Sequence, residues 1–427
     1  MRVARRMERI PPYLFADIDK KRAALRARGV DVINISIGDP DLPTPDHIVE
    51  ALTRAARDPR THVYPPYEGT REFREAVAGW YARRFGVTLD PGSEVLALIG
   101  SKEGLAHVPW VFINPGDVAL VSDPGYPVYN VATLMADGEV YPVAMTREQG
   151  WVPDLAAIPD DAARRARVLF LNYPNNPTGA TADLAFFGRV VEFARRWDIL
   201  VVHDNTYSEI AYDGYRPPSF LEAPGAKDVA IEFHSLSKTF CMTGWRMGFV
   251  VGNKDAVQAL ATLKTNIDSG QWVAIQDAAV AGLTGPEAPI RERVAIWQRR
   301  RDTVVRGLRE IGLDVPLPRA TFYLWIPVPR GHTSVSFATD LLEHTGVIVT
   351  PGTGYGVHGE GYVRVSLTAP DARFEEAVRR IGGHLRAGGR EAAGGPAPDG
   401  AAPPSGTSRV SGSRRRPRDA RASSPRS

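Results

Sequence analysis

Short apolar runs alternate with longer helix-like stretches through most of this chain. Helical periodicity extends over residues 68–85 and 182–197, and the apolar runs around these stretches contain few polar residues. Such runs are typical of strands that are buried on both faces and joined by helical crossovers. We therefore predict an α/β fold built on a mostly parallel, doubly wound sheet. The predicted strands are residues 95–99, 118–122, 168–172, 200–203, 230–234 and 247–251.

The C-terminal part of the body has a different pattern. Helix-like stretches at 291–311, 335–344 and 372–386 alternate with two strand-like runs, at 321–326 and 362–367. This order predicts a smaller α+β domain, and a length of 427 residues also favours more than one domain. The predicted parts are an N-terminal segment (1–44) that packs on the small domain or a partner subunit, a large domain (45–285), a small domain (286–386) and a tail (387–427).

The tail differs from the body in composition and charge. Gly, Ala, Pro, Ser and Arg dominate residues 387–427, so the segment cannot bury enough apolar surface to offset its ordering entropy. We predict that it is disordered. It carries eight arginines and three acidic residues, 8 − 3 = +5, which leaves 3 − 5 = −2 for the body. A nearly neutral body argues against nucleic-acid binding.

Other residue types exclude further classes of protein. Cys241 is the only cysteine, so neither an intramolecular disulfide nor a cysteine-based metal site can form. The nine histidines show no ligand spacing, and we expect no metal. We find no apolar run long enough to span a bilayer and no secretory signal, and therefore expect a cytoplasmic protein without membrane contact.

The densest chemical signal is the segment 235–248, which follows a predicted strand. Lys238 lies among hydroxyl side chains, and Arg246 follows it within the pattern Gly-x-Arg-x-Gly. A lysine that forms a Schiff base needs a lowered pKa, which a partly dehydrated pocket and a nearby arginine supply. Ser235, Ser237 and Arg246 together suit a phosphate group, because the arginine fork binds two oxygens at once.

This segment resembles the lysine motif of fold-type I enzymes that use pyridoxal 5'-phosphate (PLP), the class I/II aminotransferases. The resemblance covers roughly residues 10–386. It implies that Lys238 binds the cofactor and is the catalytic acid and base. Asn176, in the turn Asn172-Tyr-Pro-Asn-Asn-Pro-Thr-Gly179, would contact the ring hydroxyl oxygen. Asp204, at the end of a predicted strand, would pair with the pyridine nitrogen, and Tyr207 would donate to the phenolic oxygen.

The same resemblance assigns the remaining cofactor contacts. Ser101 and Lys102, in Gly-Ser-Lys-Glu-Gly at a predicted helix start, would bind the phosphate, where backbone N–H groups favour an anion. Tyr126 matches the aromatic residue that stacks on the pyridine ring. Tyr64 matches a tyrosine that reaches the phosphate of the neighbouring subunit, which implies a homodimer with shared active sites.

For the substrates, an amino acid and a 2-oxo acid, the resemblance points to two further positions. Arg364 would grip the α-carboxylate, and Gly38 lies in the loop that closes over the substrate. Four stretches resemble the LL-diaminopimelate aminotransferase subfamily, which implies LL-2,6-diaminopimelate as donor, 2-oxoglutarate as acceptor, and Tyr13 and Asn266 as substrate-binding residues. These stretches are 38–45, 211–220, 266–270 and 359–362.

Other positions depart from that subfamily, among them Cys241 and Gln271-Trp272, and the contacts to a distal carboxylate cannot be matched. An aspartate- or alanine-type aminotransferase is therefore an alternative. A PLP-dependent C–S β-lyase is a second one, because it uses the same lysine, aspartate, tyrosine and arginine.

Overall fold

The computed structural model describes residues 1–10 and 15–394, with the backbone alone at 15–19 and 388–394. Residues 1–386 form one compact unit. The described strands β1 to β12 are Ile33–Asn34, Val95–Leu98, Val118–Asp123, Glu139–Ala144, Ala166–Asn172, Leu200–Asp204, Ala230–Ser235, Gly248–Gly252, Tyr323–Pro327, Val347–Ile348, Thr350–Pro351 and Tyr362–Ser366. The described helices α1 to α14 are Arg5–Glu8, Phe15–Ala27, Asp46–Ala55, Arg71–Phe85, Ser101–Phe112, Val128–Met135, Asp160–Arg165, Leu184–Trp197, Leu236–Thr239, Lys254–Thr265, Val273–Thr284, Ala288–Glu310, Ser334–Thr345 and Asp371–Gly394.

The large sheet has seven strands in the order β2-β8-β7-β6-β5-β3-β4. All its pairings are parallel except those of β8, which runs antiparallel to both β2 and β7. The predicted α/β fold class is therefore confirmed, and each of the six predicted runs overlaps a strand, with bounds that differ by at most two residues. The strand β4 was not predicted. This strand lies at the sheet edge, is partly exposed and contains Pro142, so it lacks the continuous apolar run of a central strand.

Side-chain capping fixes where two helices begin. Periodicity predicted these starts two or three residues too early. The Thr70 hydroxyl accepts a hydrogen bond from the Phe73 N–H at 3.2 Å and starts α4. The Asp183 carboxylate accepts one from the Phe186 N–H at 2.8 Å and starts α8. Capping side chains satisfy N–H groups that have no partner within the helix, so the helix begins beyond them.

The two faces of the large sheet are covered by different helices. Side chains alternate along a strand, so Val202 and Asp204 of β6 face one side while Val201 and His203 face the other. One apolar core joins Val202 to residues of α5, α6 and α10. The second joins Val201 to residues of α3, α4, α8 and α11. We call these sides the α5 face and the α4 face.

The C-terminal part contains a three-stranded antiparallel sheet in the order β11-β12-β9. Together with α12, α13 and α14 it surrounds a third apolar core. The short strand β1 pairs in parallel with β10, so residues near position 33 pack on this part of the chain. Helix α14 continues to Gly394, past position 386 where it was predicted to end. The remainder of the predicted disordered tail, from 395, lies outside the described residues.

None of the helices in the described residues combines the length and the apolar character that crossing a membrane requires.

Candidate active site

Asp204 is the last residue of β6 and faces the α5 side, where its carboxylate is buried. The Tyr129 hydroxyl donates to Oδ2 at 2.8 Å. The Thr206 hydroxyl and backbone N–H donate to Oδ1 at 2.6 and 3.2 Å. Because a carboxylate offers about four acceptor positions, these three hydrogen bonds leave room for one further donor. Asp204 therefore suits a ligand that presents an N–H.

Tyr129, which sequence analysis missed, holds this carboxylate in place. It lies on α6, fully buried, with its ring stacked on Phe170 at 4.9 Å between centroids. Burial and the charge of Asp204 raise the pKa of Tyr129 well above its usual value, so the phenol stays protonated and remains a donor. Its position three residues after Tyr126 was the only available signal in the sequence.

Lys238 lies in the short helix α9, directly after β7. The Ser235 hydroxyl accepts a hydrogen bond from the Ser237 N–H at 3.2 Å and caps this turn. Lys238 is half-buried, and its Nζ donates to the Gly38 carbonyl at 2.6 Å. Burial lowers the pKa of Lys238 to about 8, although the charge of Asp39 opposes the shift. Roughly a tenth of the amine is therefore neutral at pH 7, far more than for an ordinary lysine.

Backbone N–H groups and Arg246 meet at the start of α5. Gly100 has φ of 77° and lies so close to Arg246 that a side chain at Gly100 would collide with the guanidinium. A Cβ at Gly248 would lie 2.7 Å from the Ser101 backbone nitrogen. Ser235 is the last residue of the neighbouring strand β7, Ser237 lies in α9, and both are buried.

Gly100 and Gly248 thus allow the start of α5, the Arg246 side chain and the first residue of β8 to lie close together. The N–H groups of a helix start and an arginine fork form a site for a phosphate group. The Lys102 side chain, in contrast, is exposed, although its backbone belongs to the first turn of α5.

Arg364 of β12 is buried although it carries a charge. Its Nη1 donates to the Asn176 side-chain oxygen at 2.8 Å, and its Nη2 donates to the Ser36 carbonyl at 2.5 Å. The guanidinium carbon lies 4.2 Å from the centre of the Tyr323 ring. Its Nε is buried without a hydrogen-bond partner within the described residues. A buried guanidinium with an unused N–H suits an anionic ligand, and a carboxylate matches it.

A pair of buried tyrosines links this arginine to the lysine loop. The hydroxyls of Tyr207 and Tyr323 are 2.9 Å apart. Gly38 lies so close to the Tyr323 hydroxyl that any larger residue at position 38 would displace the ring. Burial raises the pKa of Tyr207 well above its usual value, and the nearby Tyr323 adds to the shift. Tyr207 and Gly38 are predicted site residues, whereas Tyr323, which belongs to the small sheet, was not predicted.

The model of aminotransferase class I and II matches residues 30–381 of this chain. The chain belongs to this family. An LL-diaminopimelate aminotransferase from Moorella thermoacetica is 56% identical over 381 residues, which cover 89% of this chain and 98% of that protein. One from Desulforudis audaxviator is 57% identical and covers 90% of this chain and 97% of its own length.

Solved structures agree with the family. A substrate-bound structure of BacF from Bacillus subtilis has a TM-score of 0.86 at 38% identity, with 90% of this chain and 98% of that chain covered. A single mutant of aspartate aminotransferase from Thermus thermophilus has a TM-score of 0.84 at 30% identity and covers 90% and 100%. The chain is therefore a PLP-dependent transferase with the fold-type I architecture.

In this aminotransferase, a loop of the C-terminal part, just before β12, holds the turn that carries Tyr126. The N–H groups of Val357 and His358 both donate to the Asp123 carboxylate at 3.2 Å. The Gly125 N–H donates to the Tyr355 carbonyl at 2.7 Å. Tyr126 is half-buried, and its ring lies edge-on to that of Tyr129 at 5.8 Å. The anchoring role of Asp123 was not predicted from the sequence.

Two of the predicted residues in the described part of the chain are not brought into this group. Tyr64 is 83% exposed, and Asn266 is exposed and donates to the Thr262 carbonyl of its own helix. Between these two and the other predicted site residues, we find no hydrogen bond within the described residues. Tyr13 lies outside the described residues.

A second buried carboxylate, which sequence analysis also missed, lies on the α4 face of the same sheet. Glu232 of β7 is opposite His203 of β6 in the strand register and is fully buried. Its two oxygens interact with six groups, namely the side chains of Tyr81, His203, Asn205, Ser219 and His234 and the N–H of Phe220. Burial raises the pKa of Glu232, but the hydrogen bonds and charges of His203 and His234 outweigh it and hold this pKa well below its usual value.

Proposed function

We propose that this aminotransferase transfers an amino group from LL-2,6-diaminopimelate to 2-oxoglutarate, a step in the synthesis of lysine and cell-wall precursors. Relatives of that name that are more than half identical over almost the whole chain support the choice of substrate. The observation that carries the assignment to an amino acid is Arg364. Its buried, partly unsatisfied guanidinium lies beside the loop that carries Gly38, which accepts the hydrogen bond of Lys238.

The residues of the site fit PLP. Asp204 retains one acceptor position, which suits the N–H of a protonated pyridine ring. The start of α5, Ser235 and Arg246 would hold the phosphate, and Tyr126 and Asn176 would contact the ring. When bound, the cofactor supplies an electron sink that stabilises negative charge at the α-carbon of the substrate.

Lys238 then acts on the substrate as an acid and a base. Its lowered pKa of about 8 makes a neutral Nζ available to take the proton from the α-carbon. Arg364 binds the α-carboxylate through two nitrogens and so orients the α-carbon toward Nζ. Tyr323 and Gly38 lie tightly against each other beside this position, which excludes a larger residue at position 38.

We further propose a cytoplasmic homodimer in which Tyr64 and Asn266 complete the site of the partner subunit. The exposure of Tyr64 supports this assembly, because an aromatic side chain in solvent gains from burial at an interface. The side chains of Val63 and Ile267 are also exposed. Trp272 Nε1 donates to the Thr61 carbonyl at 2.8 Å and thereby ties the two exposed segments together.

A donor panel tests the proposed substrate. We expect kcat/KM for LL-diaminopimelate, with 2-oxoglutarate as acceptor, to exceed that for aspartate, alanine and aromatic amino acids by at least about tenfold. A preference for aspartate or alanine would replace the proposed donor. Release of pyruvate from cystathionine without any acceptor would instead identify a β-lyase.

Hybrid dimers test the shared site. Chains that carry Lys238→Ala and chains that carry Tyr64→Ala are co-expressed with different tags, and the mixed dimer is isolated. In a shared site, one of its two centres has both residues intact, so it should be more active than either parent dimer. Activity no higher than that of the parents would exclude a contribution of Tyr64 to the partner.

A further inference from the structure

Three side chains with metal-ligand chemistry meet on the surface of the small domain. Asp340 and His344 lie on α13, and His384 lies on α14. His344 Nδ1 is 2.9 Å from one Asp340 oxygen, and His384 Nε2 is 2.7 Å from the other. The three ligand atoms are all within 4.8 Å of one another.

Their arrangement follows from helix geometry. Residues four apart on a helix share one face, so Asp340 and His344 point to the same side of α13. The imidazoles of His344 and His384 lie almost parallel, with ring centres 4.9 Å apart and planes that differ by 7°. Helix packing therefore brings together residues whose sequence spacing gave no metal signal. None of the three belongs to the predicted active site.

We propose that Asp340, His344 and His384 bind one divalent transition-metal ion, of which Zn²⁺ is the reference. Two imidazole nitrogens and one carboxylate oxygen are a ligand set that Zn²⁺ takes with water in the fourth position. Imidazole ligands disfavour Mg²⁺ and Ca²⁺, which prefer oxygen. The ion would join α13 to α14 and stabilise the small domain.

The observed distances need only small side-chain adjustments. Metal–ligand bonds of about 2.0–2.2 Å place neighbouring ligands of a tetrahedral site about 3.4 Å apart. The two nitrogen–oxygen distances, 2.9 and 2.7 Å, involve different oxygens of Asp340 and are shorter than this by less than 1 Å. One ligand atom from each residue gives a set in which all separations are within 4.8 Å, so the adjustment needed for any pair is about 1.4 Å or less. The side chains of Asp340, His344 and His384 are 23%, 59% and 24% exposed, so they have room to rotate and an ion can enter from solvent.

Calorimetric titration of the untagged holoenzyme with ZnCl₂, after treatment with a chelator, tests the site. We expect one Zn²⁺ per chain, and we expect His344→Ala and His384→Ala each to weaken the affinity at least about tenfold, because even an outer-shell partner contributes that much. The matched control is His332→Ala, which removes an exposed imidazole near the start of α13 and should leave Zn²⁺ binding unchanged. MgCl₂ should produce no binding at this site.

A thermal measurement gives a second readout. Saturating Zn²⁺ should raise the melting temperature of the wild-type holoenzyme and of His332→Ala, but not that of His384→Ala. The cofactor absorbance of each variant reports that it is folded. Zn²⁺ binding of equal affinity in wild type, His344→Ala and His384→Ala would overturn the proposal, as would a wild-type protein that binds no Zn²⁺ at millimolar concentration. Either result would leave a carboxylate shared by two histidines as the whole role of the cluster.

Discussion

Asp204 and Glu232 lie on neighbouring strands of one sheet, and both carboxylates are buried, yet they face opposite sides and have different surroundings. Six groups surround the oxygens of Glu232, which exceeds the roughly four acceptor positions of a carboxylate. Asp204 accepts three hydrogen bonds and has one position left. A carboxylate saturated by its own protein stabilises the fold, whereas one with an unused position is prepared for a ligand.

The comparison predicts the largest effect for Glu232→Gln. The amide removes the charge that His203 and His234 face and places N–H groups where donors already point. We expect the free energy of unfolding to fall by about 3–5 kcal/mol, the cost of breaking a buried ionic network. Urea denaturation followed by circular dichroism measures it, and Glu72→Gln, on the surface of α4, should stay within about 0.5 kcal/mol.

The low pKa of Glu232 also predicts the direction in which stability changes with pH. The pKa of Glu232 is lower in the folded protein than its ordinary value of 4.5. Its contribution is therefore fully present above about pH 4.5 and is lost as the pH falls through the folded pKa. As the pH falls below about 4.5, the free energy of unfolding of the wild type should therefore approach that of Glu232→Gln. A difference that stays constant would show that the charge of Glu232 is not what stabilises the fold.

Asp204→Asn should lower activity strongly and stability only slightly, which is the opposite of Glu232→Gln. Loss of the charge that faces the ligand should lower kcat/KM by about 10²- to 10³-fold, a typical effect of removing one preorganised electrostatic contact. The free energy of unfolding of the cofactor-free protein should change by about 1 kcal/mol, because most of the hydrogen-bond geometry remains. Equal losses of stability in Asp204→Asn and Glu232→Gln would refute the distinction between the two carboxylates.

The next prediction concerns Lys238, whose pKa of about 8 lies close to neutral pH. Because its pKa is about 8, the neutral amine becomes about tenfold rarer with each pH unit below that value. The rate at which cofactor-free protein captures PLP should therefore rise with pH and level off above about 8. Stopped-flow absorbance measures this rate. A flat profile between pH 6 and 8 would contradict the lowered pKa.

Two matched tyrosines give the smallest expected effects and the most specific test of the comparison. Tyr129 donates to Asp204 at 2.8 Å and Tyr81 donates to Glu232 at 2.7 Å, and both are buried. A hydrogen bond to a charged group contributes about 1.5–3 kcal/mol. We expect Tyr81→Phe to lower stability by an amount in this range with kcat/KM unchanged. Tyr129→Phe should lower both stability and kcat/KM. If only stability falls, Tyr129 supports the fold and does not act on the site.

Patterns within short segments were enough to predict much of this molecule. The continuous apolar runs of β3 and β6 required buried strands, and the hydroxyl-rich loop around Lys238 pointed to cofactor chemistry. The edge strand β4 was missed because its burial is incomplete, so its composition resembles that of a loop. Asp204 was predicted because a residue at the carboxyl end of a parallel strand faces the ligand crevice.

Partnerships between distant residues could not be predicted from such patterns. Tyr129 contacts Asp204 because α6 packs on the sheet, and Tyr323 reaches Gly38 because the small sheet meets the N-terminal segment. In the same way, His384 meets Asp340 through the packing of two helices. Each partnership depends on positions that sequence spacing does not encode.

The amino-acid sequence by itself determined the α/β class, the strand-end position of Asp204 and the lysine segment, because side-chain periodicity and local chemistry act over a few residues. Only the tertiary structure decided which carboxylate is saturated and which keeps an unused acceptor position. That difference depends on how many donors surround each group. Donors from separate helices and strands meet a carboxylate only when the chain has folded.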